Sequence, residues 1–239
     1  MTGPAVATRR LPGTLALGWR RVRIELLQFR RDRESAFFTM LLPVLLLIVF
    51  GSAFTGEVVP GVTFSQYFLA GMLASGIVYT SFQNLAITIP QERDDGTLKR
   101  LQGTPMPKAS YFLGKVGLVL VIYVVQVIVM MSIGVAMFGV QLPNTAFDWW
   151  TFTWVSLLGL SCCTLLGIAF SGLARHGRGA PALVTPVVLV LQFTSGVFFQ
   201  YDELPPWMQH FAAIFPLKWL CQGMRSVFLP DSFQQQELA

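Results

Sequence analysis

Charge is what this chain has least of. Asp, Glu, Lys and Arg make up 12% of its 239 residues, while 54% are hydrophobic and the mean hydropathy is +0.59. Soluble domains carry about twice that share of charge. A surface so poorly charged could not be wetted, whereas helices that face lipid need no wetting. Soluble hydrolases, nucleic-acid readers and disordered chains are therefore poor readings. Cysteine is scarce too: Cys162, Cys163 and Cys221 are the only three, and the adjacent pair sits in an apolar run. That suggests no disulfide or zinc framework. HExxH, GxSxG and paired carboxylates within the apolar runs are all missing, so catalysis is not expected. The phosphate-binding loop GxxxxGK[ST] is missing as well, because Gly114-Lys115 is followed by Val116. If the protein drives transport, another polypeptide must bind the ATP.

What is present begins with a short start, residues 1–13, without the apolar core of a secretory signal. From Thr14 to Glu34 the pattern turns basic and amphipathic. Leu15, Trp19, Val22, Leu26 and Phe29 recur at helical spacing, and Arg20, Arg21, Arg23, Arg30, Arg31 and Arg33 are offset from much of that stripe. Such a helix can lie in the membrane interface, as a bland anchor or as a surface that also touches a partner. Apolar runs then predict five spans: Phe37–Phe54 with Pro43 inside it, Phe64–Ile89, Phe112–Phe138, about Phe152–Leu173, and Ala180–Phe199. Trp149, Trp150 and Trp154 stand where an interfacial aromatic belt is expected. Residues 201–230 contain Pro216 and Lys218 and hold no uninterrupted span, which suggests re-entrant or interfacial helices. Residues 231–239 form a polar tail. The expected division is thus 1–34 as an interfacial start, 35–200 as a five-span domain with a loop at 90–111, 201–230 as an outer region, and the tail.

Five spans put 15 of the 17 basic residues on the face that holds the N-terminus, leaving Lys218 and Arg225 opposite. Short loops rich in Lys and Arg stay in the cytoplasm, so the N-terminus is expected inside. The basic charge then reads as a topology signal, and no nucleic-acid partner is expected. His176 and His210 fall on opposite faces. The central parts of the spans hold no charge, which argues against an ion-driven secondary transporter. Gln126 and Gln192 are their strongest polar residues, either joining helices or touching solute. Phe193, Phe198 and Phe199 line a route or merely pack.

The loop between the second and third runs is the most informative segment. Glu92-Arg93-Asp94-Asp95-Gly96-Thr97-Leu98-Lys99-Arg100-Leu101 precedes Thr104-Pro105 and Lys115. Leu98 and Leu101 give a short helix an apolar edge, and the mixed charges could steer docking; a solvated loop that only fixes topology is the plain alternative. This segment resembles the cytoplasmic loop of ABC-2 type transporter permeases. The basic N-terminal helix, Pro205-Pro206-Trp207 and Phe215-Pro216-Leu217 also match that family's pattern, and the nearest subclass resembles drug-resistance-type efflux permeases.

The resemblance implies an all-α polytopic membrane protein with the ABC-2 (type V) exporter fold. It also implies a pair of permease subunits, homodimeric or with a related chain, working with two copies of a separate ATP-binding subunit. This chain would bind no cofactor itself, the ATP and Mg being held by that subunit. Glu92 to Leu101 would couple to the ATPase, beside an interfacial helix carrying Trp19, Arg20, Arg21, Arg23, Leu26, Phe29 and Arg30. Gln126, Gln192, Phe193 and Phe198 are pathway candidates. The expected substrate is amphipathic or hydrophobic, a drug or lipid, exported through the plasma membrane of a bacterium. The family has six spans, so five clear spans plus a re-entrant region leave an expected sixth helix missing after Ala239. A non-transporting scaffold or assembly protein remains the alternative from topology alone, followed by a secondary transporter.

Overall fold

The computed structural model describes residues 13–54, 56–59 and 61–230. The expectations for residues 1–12 and for the tail at 231–239 lie outside the described residues.

Helix α1 (Thr14–Arg31) leads through Asp32 into α2 (Arg33–Ala53). A two-stranded hairpin follows, β1 (Glu57–Val59) paired antiparallel with β2 (Val62–Thr63), with Glu57 opposite Thr63. The next helix begins at once. The Thr63 hydroxyl caps it by accepting from the Gln66 N–H at 3.3 Å, a common use of threonine at a helix start. This helix runs unbroken from Phe64 to Asp94 as α3 (Phe64–Ile77), a π-helical segment (Val78–Gln83) and α4 (Asn84–Asp94). The short α5 (Thr97–Gln102) precedes the long α6 (Lys108–Phe138) and α7 (Ala146–Phe170). α8 (Ala180–Thr194), α9 (Pro206–Ala213) and α10 (Pro216–Phe228) complete the described chain.

Among the described residues three helices, rather than five, are long and apolar enough to cross a bilayer: Phe64–Asp94, Lys108–Phe138 and Ala146–Phe170. The expectation of five spans plus a re-entrant region is corrected on that finding. At the first expected span α2 (Arg33–Ala53) is helical throughout, and its described apolar part, Thr39–Ala53, is shorter than the three spanning helices. At the fifth, α8 stops at Thr194 after 15 residues and the chain turns through Gly196 at φ 78°. The expected re-entrant region is a pair of short helices, of which α10 packs along α3 and α7.

The core lies around α3, which is buried on nearly every side: Phe68, Leu69, Ala70, Met72 and Ala74 have no exposure at all. α6 and α7 instead turn one face outward, where Val124, Ile128, Leu157 and Leu165 are exposed. Exposed leucine and valine in such rows fit a surface that meets lipid. The two ends of the bundle differ. One carries the turns at 95–107 and 171–179 with Arg93, Lys99, Arg100, Lys108, Arg175 and Arg178, and is called the basic end here. The other carries the hairpin, α9 and α10.

Candidate functional site

At the basic end, α1 lies against the first turns of α6. Glycine makes this contact possible: a Cβ on Gly114 would stand 2.3 Å from Cγ of Arg21, and one on Gly117 would stand 2.4 Å from Cγ2 of Val22. The Ser110 hydroxyl donates to the Thr14 carbonyl at 3.1 Å and fixes the register. The close approach brings a cluster of charges out of solvent. Arg21, Glu25 and Lys115 are 7%, 3% and 2% exposed.

Lys115 Nζ donates to Glu25 Oε2 at 2.9 Å and to Glu92 Oε1 at 2.5 Å. Arg21 Nη2 lies 2.7 Å from Glu25 Oε1 and 4.0 Å from Glu92 Oε1, in ion contact without the alignment of a hydrogen bond. The Tyr111 hydroxyl donates to Glu92 Oε2 at 2.7 Å, and its ring has the Arg21 guanidinium 5.6 Å and the Lys115 ammonium 5.7 Å from its centre. Two carboxylates and two cations balance, so the buried cluster carries no net formal charge. It ties three elements together: α1 by Arg21 and Glu25, α4 by Glu92, and α6 by Tyr111 and Lys115.

The loop singled out in the sequence divides into two parts. Glu92, Arg93 and Asp94 form the last turn of the spanning helix and face other elements. Glu92 enters the charge cluster. An Arg93 guanidinium N–H donates to the Ala174 carbonyl, and the Asp94 carboxylate accepts from the Gly177 N–H, so the turn before α8 is clamped to the end of α4. Asp95 is exposed, and Gly96 reverses the chain at φ 72°, a left-handed conformation that glycine adopts without a Cβ penalty. The second part is α5. Thr97 is half-buried, Leu98 and Leu101 turn toward the membrane domain and line a cleft beneath α5, and Lys99 and Arg100 are exposed.

On α1 the predicted apolar stripe splits. Val22 is buried and Leu26 and Phe29 are half-buried, whereas Trp19 is 67% exposed beside exposed Arg20, Arg23 and Arg30. Arg21 is on the buried side. The contacts of the four pathway candidates are with neighbouring helices and rings. Gln126 is buried against Gly76, to which a Cβ would come within 3.0 Å of its Nε2, and it therefore sits in a helix contact. The Gln192 Oε1 accepts from the Tyr79 hydroxyl at 2.9 Å. Phe193 and Phe198 stack on each other, with centroids 4.9 Å apart.

Sequence reasoning missed Glu25 and Tyr111 and did not give Lys115 a site role. A signal was present for two of them. Glu25 follows Arg21 by one helical turn inside an otherwise basic stretch, and Lys115 is a lone charge four residues into an apolar run. A cavity of about 610 Å³ opens beside the cluster, lined by Glu25, Glu92 and Lys115 together with Thr39, Tyr79 and Asn84. Among the described residues no group of His, Cys, Asp and Glu could hold a metal ion.

Long apolar helices around a buried core, with a balanced charge cluster at one end, define a multi-pass helical membrane protein. The chain belongs to the ABC-2 type transporter family, whose model matches residues 16–229. It is 25% identical over 206 residues to the putative transport permease ycf38 of Porphyra purpurea, covering 84% of this chain and 70% of that one. It is 21% identical over 185 residues to the putative transport permease YvfS of Bacillus subtilis, covering 77% and 74%. The probable multidrug ABC transporter permease YbhR of Escherichia coli is 23% identical over 151 residues, covering 62% of this chain and 39% of that protein. Membership makes this chain a membrane transport subunit and not an enzyme.

Proposed function

We propose that the chain is the permease subunit of an ATP-driven exporter that moves an amphipathic or hydrophobic compound out of the cytoplasm. Its N-terminus and basic end face the cytoplasm of a bacterial cell, in keeping with the Lys and Arg gathered there. ATP and Mg are bound by a separate subunit, present in two copies, and a second permease chain completes the membrane part. Residues 1–34 serve as the interfacial start and 90–111 as the coupling loop.

The observation that carries this reading is the cluster of Arg21, Glu25, Glu92 and Lys115. A push on the exposed Lys99–Arg100 edge of α5 reaches Glu92 through one glycine turn. From there it reaches α1 and α6 through ion pairs, and the turn before α8 through Arg93 and Asp94. Mechanical force needs a contiguous set of stiff contacts, and this is one. The cavity beside the cluster is the cytoplasmic entrance in this reading, and Gln126 holds helices together while Phe193 and Phe198 pack.

Reversing the exposed edge with Lys99→Glu and Arg100→Glu is the direct test. In proteoliposomes with the ATP-binding subunit, the double variant should lose most permease-stimulated ATP hydrolysis and transport while still inserting and unfolding at the parent temperature. Unchanged stimulation would remove α5 as the coupling element.

A further inference from the structure

The cleft beneath α5 has a volume of about 400 Å³ and an almost wholly apolar lining. Ile89 of α4, Leu98 and Leu101 of α5, Phe112 of α6 and Ile168 of α7 form its walls, and among the described residues that line it Lys108 is the one charged side chain. We propose that this cleft is a binding site for one anionic phospholipid, with an acyl chain between α5 and the helix ends and the phosphate on Lys108.

Three features select that occupant. The first is depth: Ile89, Phe112 and Ile168 lie within a few residues of the basic ends of the three spanning helices, where acyl chains give way to headgroups. The second is continuity with the lipid-facing wall, because Phe112 is 41% exposed and Val116, one turn further along α6, is 38% exposed. A chain can slide in from the leaflet without crossing a polar barrier. The third is charge. Lys108 is exposed at the start of α6, and none of the ion pairs among the described residues involves it. A lysine beside an apolar pocket at the end of membrane-spanning helices favours an anionic headgroup over a zwitterionic one. An occupied cleft would brace α5 against the membrane domain. That consequence rests on the coupling reading, but the binding site does not.

The test uses the full chain purified in mild detergent, with no ATP-binding subunit present. Native mass spectrometry would count retained palmitoyl-oleoyl phosphatidylglycerol and, in parallel, phosphatidylcholine with the same chains. One phosphatidylglycerol per chain should be held about fivefold more tightly than phosphatidylcholine, the effect of a single lysine beside an anionic headgroup. Lys108→Gln should abolish that preference. Ile168→Trp should fill the cleft and remove the retained lipid of either kind, and Leu98→Phe should do so from the opposite wall if the first variant fails to fold. Lipid bound loosely along the arginines of α1 is a background common to all the variants. No preference in the parent chain would overturn the proposal, and so would retention untouched by Lys108→Gln. A loss in Lys108→Gln with retention intact in both filled variants would show a surface lysine contact only, and would equally overturn the cleft as the seat. Because the ATP-binding subunit is absent, failure here leaves the coupling reading standing, and failure of coupling leaves this result standing.

Discussion

Both ends of this bundle bury cations, one among several carboxylates and the other beside an aromatic ring. At the basic end Lys115 and Arg21 meet carboxylates, and Glu25 and Glu92 each take part in more than one pair. At the hairpin end Arg225, 2% exposed, lays its guanidinium 3.9 Å from the centre of the Tyr67 ring and donates to the Gly196 carbonyl. The same carbonyl accepts from the Tyr67 hydroxyl at 3.1 Å, which ties the turn after α8 to α3. Around it Phe50, Phe54, Phe64, Phe68 and Phe198 form a connected set of ring contacts. The contrast shows what each end can tolerate. A shared ion cluster fails as a unit, because losing one member leaves its partners charged and buried. At the hairpin end the Tyr67 ring and the Gly196 carbonyl hold the Arg225 guanidinium, which also acts on the Asp202 carboxylate.

The largest expected effect is therefore at Lys115. Lys115→Met leaves Glu25 and Glu92 without their shared ammonium and should cost about 3–5 kcal/mol, read from unfolding in detergent micelles. Adding Glu92→Gln in that background should recover part of the loss. A double variant no better than the single would mean that Lys115 acts through packing alone. At the other end Arg225→Met should cost about 2 kcal/mol in the same measurement, since the Gly196 carbonyl keeps its bond from Tyr67. A cost equal to that of Lys115→Met would erase the distinction between the ends. The smallest effect belongs to Phe54, half exposed at the margin of the aromatic set, with centroids 5.9 Å from Phe50 and 5.0 Å from Phe64. Phe54→Leu should cost about 0.5–1.5 kcal/mol.

Part of the site was legible before any coordinates. The charged break after Ile89 stands out because it interrupts apolar runs, and Gly96 and the prolines at 105 and 107 bound a short helix by their own backbone limits. The number of spans was misread because hydropathy counts apolar residues without knowing where a helix stops. Ala180–Phe199 is largely apolar, yet its helix α8 ends at Thr194, and the described apolar helix in the first run is Thr39–Ala53. For the pathway candidates the sequence leaves two readings open, helix contact or solute contact. A buried amide looks the same in sequence whether it meets a glycine, as Gln126 meets Gly76, or a solute.

By itself the sequence determined the medium. With so few charges and such long apolar runs, the chain has no way to face water on all sides, and that follows from transfer free energies that act residue by residue. It also determined where the polar ends gather, since lysine and arginine are costly inside the bilayer wherever they fall in the chain. Only the tertiary structure decided that Arg21, Glu25, Glu92 and Lys115 form one cluster, because their meeting depends on two glycines of α6 letting α1 approach. It likewise decided that Leu98 and Leu101 face a cleft and leave Lys99 and Arg100 outward. Which side of a short helix is buried depends on what it packs against, and the neighbours of α5 come from residues 89 to 168.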